Sequence, residues 1–472
     1  MAIQAARMKS VDPATGETIA EFDVMGEADV DRALAQAHAI FPGWRDAGFA
    51  ERARLMRAAA GRLRGDRERL ARIITAEMGK VIAEAEAEVE KCAFACDYYA
   101  ENAARFLADE PFPSDVPGSF VAFEPLGAVL AVMPWNFPLW QVFRFAAPNL
   151  MAGNTAVLKH AANVSRCALE IEDVFRHAGF PEGAFRTLLL PGDRVGSVIA
   201  DPRVRAVTLT GSDTTGSKVA AVAGEHLKKT VLELGGSDAF IVLADADLDA
   251  AATTAVRSRF QNAGQSCIAA KRFIVVEAVA AEFESKMAAT AARLKVGDPR
   301  EPGVDMGPLA REDLRQTLER QLEQSLQAGA RLLTGGGRAG QRGWFFEPTV
   351  ITDCTLEMPA VAEETFGPLA AVIRVSGEEE AVDVANRSQY GLGGNLWTAD
   401  VERGVALARQ LETGGVFING MTHSDPRLPF GGVKRSGYGR ELSSFGIREF
   451  VNVQTIWIPG EQDGRRPSVA VE

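Results

Sequence analysis

The segment from residue 27 to residue 107 carries apolar side chains every three or four positions, among many Ala, Glu, Arg and Leu residues. This spacing aligns apolar side chains on one face of a helix, and few helix-breaking residues interrupt it. The pattern predicts several consecutive amphipathic helices whose charged faces lie in solvent. Pro111, Pro113, Pro117 and Gly118 then end the helical block.

From Gly127 onward, short apolar runs alternate with helical segments. Such alternation predicts a parallel α/β sheet. A second alternating region, from Phe273 to about Ile418, predicts a second α/β domain. Further predicted strands are Ser119–Glu124 and Glu449–Ile458. In the first region the predicted strands are Val129–Met133, Thr155–Leu158, Ala206–Leu209 and Phe240–Leu243, and the predicted helices are Val164–Ala178, Gly216–Lys228 and Leu248–Asn262.

The length of 472 residues is too great for one simple core, so we expect two or three domains. The net charge of −12 at pH 7 argues against a nucleic-acid or anionic-membrane partner. No apolar run approaches the ~20 residues that cross a bilayer, and no basic-then-apolar leader opens the chain. We therefore expect a cytoplasmic protein.

The cysteines are few, odd in number and widely scattered, which indicates free thiols in a reducing compartment. Cys92 and Cys96 lie four positions apart on a predicted helix, but no further Cys or His nearby in the sequence completes a metal site. The histidines show no metal-ligand spacing. We predict no metal site and interpret Cys92 and Cys96 as core residues.

The stretch from Phe260 to Cys267, FQNAGQSC, ends an alanine-rich helical run and delivers one cysteine to a turn. Gly264 and Ser266 leave room around the thiol, which a reactive thiolate requires. Our central hypothesis is that Cys267 is a catalytic nucleophile. On these residues alone, a buried structural cysteine is an equal alternative.

Two further residues suit such a nucleophile. Asn136 follows a predicted strand inside a loop fixed by Pro134 and Pro138. Its amide could stabilise an oxyanion, or Asn136 could simply cap the next helix. Glu233 precedes two glycines, and its carboxylate could act as a general base on water or lie on the surface before a turn.

Three segments suit a nucleotide. Lys159 ends a predicted strand, where it could meet a phosphate or ribose, or only solvent. Gly211 and Ser212 lie between a strand and a helix, where backbone N–H groups can approach a pyrophosphate. Glu364 and Phe366 combine a carboxylate for ribose hydroxyls with a ring to flank a nicotinamide, although paired acids also suit a solvated turn.

Taken together and in this order, these segments resemble the aldehyde dehydrogenase superfamily over nearly the whole chain. The matching segments are PWNFP at 134–138, LTGS at 209–212, LELGG at 232–236, FQNAGQSC at 260–267, EETFGP at 363–368 and PFGGVKRSG at 429–437. Three more segments resemble the bacterial NAD(P)-dependent succinate-semialdehyde dehydrogenase branch: FRF at 143–145, KHAANVSRC at 159–167 and GGVFINGMTHSD at 414–425.

The resemblance implies an α/β subunit in three parts. A Rossmann-like cofactor domain with a five-stranded sheet would occupy residues 1–108 and 125–235. An α/β catalytic domain would occupy 236–440. A small β-projection for oligomerisation would combine 109–124 with 441–472, and it implies a homodimer or a homotetramer.

The resemblance also implies a mechanism. Cys267 attacks the aldehyde to give a thiohemiacetal, whose oxyanion the Asn136 amide and the Cys267 backbone N–H stabilise. After hydride transfer to a nicotinamide, Glu233 activates the water that hydrolyses the thioester. Some relatives carry a second cysteine where this chain has Ala269. A regulatory disulfide at that position is therefore excluded.

The implied cofactor is NADP or NAD. Where NAD-preferring relatives carry a glutamate on the adenosine ribose, this chain has Ala162. A missing carboxylate removes repulsion against a 2′-phosphate, so we predict that NADP is accepted. By analogy, Lys159 and Glu364 contact the riboses and Ser212 the pyrophosphate. The full set of predicted cofactor-binding residues is Trp135, Lys159, Ala162, Gly211, Ser212, Glu364 and Phe366.

For the substrate, Arg144 stands in an apolar, aromatic helix start, where a guanidinium has a purpose if it meets a carboxylate. The alternative is an arginine paired with a protein acid. Ser424 resembles the serine that assists the substrate carboxylate, and Trp140 and Phe430 would wall the tunnel. Some relatives have a second arginine shortly before the nucleophile; the direction of Arg259 here is left open.

We therefore predict an enzyme that oxidises succinate semialdehyde to succinate with NAD(P). One alternative is another short aldehyde, either glutarate semialdehyde or an uncharged aliphatic one. A cysteine hydrolase or acyl transferase would need a base such as His beside the thiol, and no histidine lies near a recognisable motif. A non-catalytic protein with this fold would be expected to have lost Cys267, Glu233 or Asn136.

Overall fold

The computed structural model of the protein describes residues 7–114 and 118–458. Outside the described residues lie the start of the predicted cofactor domain, residues 1–6, and the end of the predicted projection, residues 459–472. Pro117 also lies outside them. The strands are β1 Arg7–Val11, β2 Thr18–Asp23, β3 Glu110–Pro111, β4 Phe120–Pro125, β5 Ala128–Met133, β6 Thr155–His160, β7 Phe185–Thr187, β8 Val204–Thr210, β9 Lys229–Glu233, β10 Asp238–Val242, β11 Ala270–Val276, β12 Arg331–Thr334, β13 Thr349–Thr352, β14 Leu369–Val375, β15 Tyr390–Gly391, β16 Gly394–Trp397, β17 Val416–Ile418, β18 Val433–Lys434, β19 Gly437–Tyr438 and β20 Val451–Ile456.

The helical spacing between residues 27 and 107 corresponds to four successive helices, as predicted. Their apolar faces are buried: Cys92 and Cys96 are core residues of the fourth helix, which confirms their interpretation. The helices are α1 Glu27–Asp46, α2 Gly48–Gly65, α3 Arg67–Met78, α4 Ile82–Phe106, α5 Trp140–Met151, α6 Ser165–His177, α7 Val195–Ala200, α8 Asp213–Glu225, α9 Leu248–Phe260, α10 Glu277–Ala291, α11 Glu312–Gln327, α12 Pro359–Ala362, α13 Glu378–Asn386, α14 Val401–Ala408 and α15 Ser443–Arg448.

The first large sheet has the order β19-β9-β8-β5-β6-β7. Strands β5 to β9 are parallel, and the short β19 adds an antiparallel edge. Every residue of β5 is buried, as expected for a parallel strand covered on both faces. The chain moves from β5 through β6 to β7 on one side and then places β8 and β9 on the other. The strand order therefore reverses between β5 and β8, which is where sheets of this kind bind ligands.

The second large sheet has the order β12-β13-β14-β11-β10-β16-β17, parallel except for the antiparallel edge strand β12. The predicted strand Phe240–Leu243 corresponds to β10 and belongs here. Residues 234–237 alone connect the carboxyl end of β9 to the amino end of β10. The carboxyl edge of the first sheet thus faces the amino edge of the second.

A third sheet, β20-β4-β3, is antiparallel and joins the two segments that the predicted projection combines. Its register pairs Val451 with Pro125 and Ile456 with Phe120. Val453 and Trp457 leave large apolar side chains exposed on it and just after it. Within residues 7–114 and 118–458, none of the helices combines the length and the apolar character that crossing a membrane requires.

Candidate active site

The turn that carries Cys267 has an unusual backbone. After α9 ends at Phe260, Asn262 and Ala263 adopt left-handed conformations, each with φ of 52°. Gly264 follows with φ of 72°, and a Cβ there would lie 2.4 Å from the carbonyl oxygen of Gly367. Gly264 is thus required by close packing against a second loop. The turn leaves Cys267 partly exposed, whereas the other four cysteines are buried.

A fully buried lysine, Lys271, binds backbone carbonyl oxygens of this turn. The ammonium of Lys271, in β11, donates to the carbonyl oxygens of Ser266 at 3.0 Å, Cys267 at 2.9 Å and Ala269 at 3.3 Å. The backbone N–H of Cys267 forms no hydrogen bond with any part of the chain that the structure describes. That N–H is therefore available to a bound oxyanion.

Asn136 reaches the same turn from the end of β5. Its side-chain Nδ2 donates to the carbonyl oxygen of Gln265 at 3.1 Å, and the Asn262 side chain donates to the Asn136 carbonyl at 2.9 Å. Since an amide nitrogen carries two hydrogens, one remains for a ligand. Asn136 does not cap α5: the carboxylate of Glu88 accepts the N–H groups of Leu139 at 2.8 Å and Trp140 at 2.9 Å.

Glu233 is the last residue of β9 and is buried. Neither of its carboxylate oxygens accepts a hydrogen bond from the described residues. Burial raises the pKa of Glu233 well above its ordinary value, and the nearby Glu441 carboxylate adds to the effect. Space for the side chain depends on Gly431, where a Cβ would lie 2.7 Å from Glu233 Oε1. Glu233 is therefore a buried acid with unused hydrogen-bonding capacity, as a general base on water requires.

The Cys267 side chain lines a cavity of the protein. The surrounding protein raises the pKa of Cys267 to about 12 by burial, although Arg144 and Lys271 act in the opposite direction. In this state the thiol is protonated at neutral pH. Attack on a carbonyl therefore requires loss of the thiol proton at the time of reaction.

Four of the predicted cofactor residues lie at or just after the carboxyl ends of β6 and β8, the strands on either side of β5 in the first sheet. Lys159 lies within β6, one residue before its end, and forms no ion pair with the described part of the chain; burial lowers its pKa. Gly211 follows β8, and the Ser212 hydroxyl caps α8 by accepting the N–H of Thr215 at 3.2 Å. Ala162 is exposed just after β6. A half-buried, unpaired cation and a helix start are what a dinucleotide uses at such a point.

The remaining predicted cofactor residues lie toward the second sheet. The rings of Trp135 and Phe366 contact edge to face, with centroids 5.6 Å apart. Glu364 accepts the N–H of Gly236 at 2.9 Å and lies 3.8 Å from the Lys271 ammonium. Burial raises the pKa of the Glu364 carboxyl. The chemistry of these residues thus fits a nicotinamide dinucleotide.

On the other side of Cys267 lies a cavity of about 560 Å³. Trp140, Arg144 and Ser424 line it, as predicted for the substrate site, and the Trp140 indole N–H donates to the Ser424 hydroxyl at 3.0 Å. Phe430 does not reach this cavity. It packs behind Arg144, whose guanidinium lies 4.7 Å from the ring centroid, and it lines a neighbouring cavity.

The two arginines considered for the substrate have protein partners. Arg144 forms a buried ion pair with Glu441, as the alternative interpretation predicts, although it also faces the cavity. Arg259 is fully buried and points away, since it donates to the carbonyl oxygens of Ala270 at 3.2 Å and Thr365 at 3.0 Å. It therefore cannot serve as a second substrate arginine.

The helical block contributes residues that the sequence interpretation missed. We expected its charged side chains to lie in solvent, and this is wrong for Glu84, Glu88 and Lys91, which line the cavity on α4. Helical spacing shows which face is apolar but not what packs against the margin of that face. Lys271 was also missed, although a lysine inside the buried strand β11 was a visible signal. Within the described ranges, no group of three His, Cys, Asp or Glu residues could hold a metal ion.

The chain is similar to known proteins over nearly its whole length. A sequence model of the aldehyde dehydrogenase family matches residues 2–456. The chain is 52% identical over 452 residues to succinate-semialdehyde dehydrogenase [NADP(+)] 1 of Mycobacterium tuberculosis H37Rv, covering 95% of this chain and 99% of the relative. It is 51% identical over 449 residues to a probable succinate-semialdehyde dehydrogenase [NADP(+)] of Synechocystis, covering 95% and 99%.

The fold agrees with solved structures as well. Succinic semialdehyde dehydrogenase from Streptococcus pyogenes, solved with NADP+, superposes with a TM-score of 0.94 at 41% sequence identity, over 96% of this chain and 100% of that one. The resemblance inferred from the motifs is confirmed: the chain belongs to the aldehyde dehydrogenase family.

Proposed function

We propose that this enzyme oxidises succinate semialdehyde to succinate with NADP, and that NAD is a second, weaker cofactor. The observation that carries the proposal is the position of Cys267. The Asn136 amide donates to Gln265 in the same turn, two residues before Cys267, and Cys267 lines a cavity with cationic side chains. Relatives about half identical to this chain over nearly its full length are NADP-dependent succinate-semialdehyde dehydrogenases by name, which supports the same substrate.

In the first step the Cys267 thiol gives its proton to solvent and the sulfur attacks the aldehyde carbon, giving a thiohemiacetal. The negative charge falls on the former carbonyl oxygen, where the free Cys267 N–H and the second Asn136 amide hydrogen can donate to it. One such donor lowers a barrier of this type by about 3 kcal/mol. Lys271 keeps the backbone N–H in place by binding the carbonyls on the turn.

A bound nicotinamide would supply the acceptor for the hydride that leaves the former aldehyde carbon as the oxyanion collapses, so that Cys267 would then carry a thioester. Glu233 then removes a proton from the water that attacks the thioester carbon. Burial suits Glu233 to this step, because a carboxylate with a raised pKa is a stronger base once deprotonated. Sulfur leaves, the thiol is restored and the carboxylic acid is released.

The cofactor choice is supported by Ala162 and Lys159. Ala162 puts no negative charge beside the end of β6, and the ammonium of Lys159 lacks an ion-pair partner within the described chain. A 2′-phosphate would therefore meet no repulsion from position 162 and an attractive charge from Lys159.

We also propose the three-part organisation and a homo-oligomer. The cofactor domain comprises 1–108 and 125–235, the catalytic domain 236–440, and the projection 109–124 with 441–472. Support comes from the sheet β20-β4-β3, which exposes Val453, and from β17, whose outer edge forms no strand pair in the described structure. Such features suit contact with a second copy, as a homodimer or homotetramer. The molar mass in solution by light scattering tests this, and a monomer would contradict it.

The test of the function is steady-state turnover of an aldehyde panel with each cofactor, followed by absorbance of the reduced nicotinamide. The panel contains succinate semialdehyde, glutarate semialdehyde and butanal. We expect the highest kcat/KM for succinate semialdehyde with NADP. A higher value for butanal would instead favour an uncharged aliphatic aldehyde, and absence of reduced nicotinamide with every aldehyde would refute a dehydrogenase.

A further inference from the structure

The interior of the substrate cavity contains a cationic side chain, Lys91, that forms no direct ion pair with a carboxylate of the described residues. Lys91, on α4, is half-buried and donates to the Ser424 hydroxyl at 2.8 Å. Its ammonium also lies 4.2 Å from the centroid of the Trp140 ring. No carboxylate among residues 7–114 and 118–458 forms an ion pair with it. The charges of Arg144, Glu88 and Asp425 also act on this ammonium, but neither carboxylate pairs with it directly. A partly desolvated ammonium without a direct ion pair favours a bound anion.

Three of the other charged side chains that line the cavity have a protein partner. Arg144 is ion-paired with Glu441, and Glu88 is ion-paired with the buried Lys80. Glu84 accepts the N–H of Asn262, and burial raises its pKa to about 7, so it is only partly charged near neutral pH. Arg257 is exposed, at the cavity margin. What remains in the interior is the positive charge of Lys91.

The hydrogen bonds at Ser424 indicate where an anion would lie. The Ser424 oxygen accepts two hydrogens, from the Lys91 ammonium and from the Trp140 indole at 3.0 Å. A hydroxyl oxygen has two lone pairs, so both are occupied and its own hydrogen must point elsewhere. The ammonium likewise carries three hydrogens and uses one on Ser424. Lys91 and Ser424 thus offer adjacent unused donors in the cavity that Cys267 enters.

We propose that Lys91 is the residue that selects an aldehyde with a terminal carboxylate, by pairing its ammonium with that carboxylate while Ser424 donates a second hydrogen bond. This rests on the proposed function and deepens it. Arg144 contributes less to the net charge, because Glu441 neutralises it. Burial, with the charge of Arg144, lowers the pKa of Lys91 to about 8, and the ammonium is still mostly protonated at pH 7.

The test compares Lys91→Met, which keeps the length of the side chain but removes the charge, with Lys91→Arg, which keeps the charge. The measured quantity is the ratio of kcat/KM for succinate semialdehyde to kcat/KM for butanal, its uncharged four-carbon counterpart. We expect Lys91→Met to lower this ratio by about 10- to 100-fold, mainly through KM, since a hydrogen bond to a charged group has that value. Lys91→Arg retains most of the ratio.

Lys295→Met, on an exposed lysine remote from the cavity lining, serves as the matched control and keeps the wild-type ratio. NADP affinity, measured by quenching of intrinsic fluorescence, shows that each variant is folded. An unchanged ratio in Lys91→Met overturns the assignment, whether both kcat/KM values stay constant or both fall by the same factor. If the wild-type enzyme itself prefers butanal, the proposed function fails and the role of Lys91 fails with it; a wild-type preference for succinate semialdehyde that survives in Lys91→Met overturns the role of Lys91 alone.

Discussion

The ammonium of Lys271 donates to the carbonyl oxygen of Cys267 at 2.9 Å. It is the buried centre of a set of bonds to three carbonyls that fixes the turn on which the nucleophile stands. Lys271 contacts the backbone of Cys267 and not its sulfur. The orientation of the Cys267 N–H therefore depends on a fully buried side chain.

Replacing Lys271 by Met is therefore expected to lower kcat by about 100-fold, since a displacement near 1 Å in a catalytic group has an effect of that size. The three carbonyls would lose their donor, at a cost of about 1–3 kcal/mol in unfolding free energy. Steady-state kinetics and thermal unfolding check both effects. Lys286→Met, at an exposed ion pair with Asp249, is the control. Lower stability with an unchanged kcat would assign Lys271 a purely structural role.

Alkylation of the free enzyme should be slow at neutral pH and accelerate with pH. Because burial raises the pKa of Cys267 to about 12, the thiolate fraction grows about tenfold per pH unit below that value. The second-order rate of inactivation by iodoacetamide between pH 7 and pH 9 measures this. A rate that levels off near pH 8 would mean that the thiol titrates much lower than its surroundings indicate.

Removal of the base should separate the two halves of the reaction. Glu233→Gln keeps the shape of the side chain but cannot take a proton, so the thioester should accumulate on Cys267. We expect a burst of one reduced nicotinamide per active site, followed by turnover slowed about 100-fold or more. Rapid mixing with absorbance detection measures the burst. Full steady-state turnover would show that another group activates the water.

The Arg144–Glu441 pair gives a stability prediction. Arg144→Met leaves the Glu441 carboxylate buried and unpaired beside Glu233, which should cost about 3–5 kcal/mol in unfolding free energy. The double variant Arg144→Met with Glu441→Gln removes the unpaired charge and should recover most of it. Thermal unfolding of both variants measures the recovery. Equal losses in the single and double variants would mean that the ion pair is not what Arg144 provides to the fold.

Position 162 should control cofactor choice. Ala162→Glu introduces a carboxylate at an exposed site just after β6, where it would repel a 2′-phosphate and accept a 2′-hydroxyl. We expect kcat/KM with NADP to fall about tenfold or more while the value with NAD does not fall. Ala162→Gln, of similar size but uncharged, is the matched control. If the glutamine variant loses NADP activity equally, size and not charge explains the effect.

The elements were predictable wherever burial alone decides them. The apolar run Val129–Met133 is β5 almost to the residue, because a central parallel strand is buried on both faces. The predicted ends of helices and strands were wrong where hydrogen bonds determine them. Helix α8 begins at Asp213, before the predicted Gly216, because the Ser212 hydroxyl caps it. The strand through Lys159 likewise continues past the last apolar residue, to His160, because ladder bonds do not require apolar side chains.

The site was predictable in its parts but not in its pairings. The motifs pointed to Cys267, Asn136 and Glu233, yet nothing in the local sequence relates Arg144 to Glu441, which belong to distant segments. The role of Lys91 was missed for the same reason, because its contacts are with residues distant in the sequence. Its helix predicts a charged, solvated face, and only the packing of α4 beside α5 brings its ammonium against Trp140. Ion pairs and desolvation are properties of the assembled chain.

The distribution of thiols has a consequence for oxidative stress. Only Cys267 is partly exposed, and it is the sole cysteine on the substrate cavity lining within the described residues. A peroxide that enters there meets the nucleophile and no neighbouring sulfur with which a sulfenic acid could condense. The described residues offer no second thiol in that lining, so reduction of such a sulfenic acid requires a thiol from outside the chain.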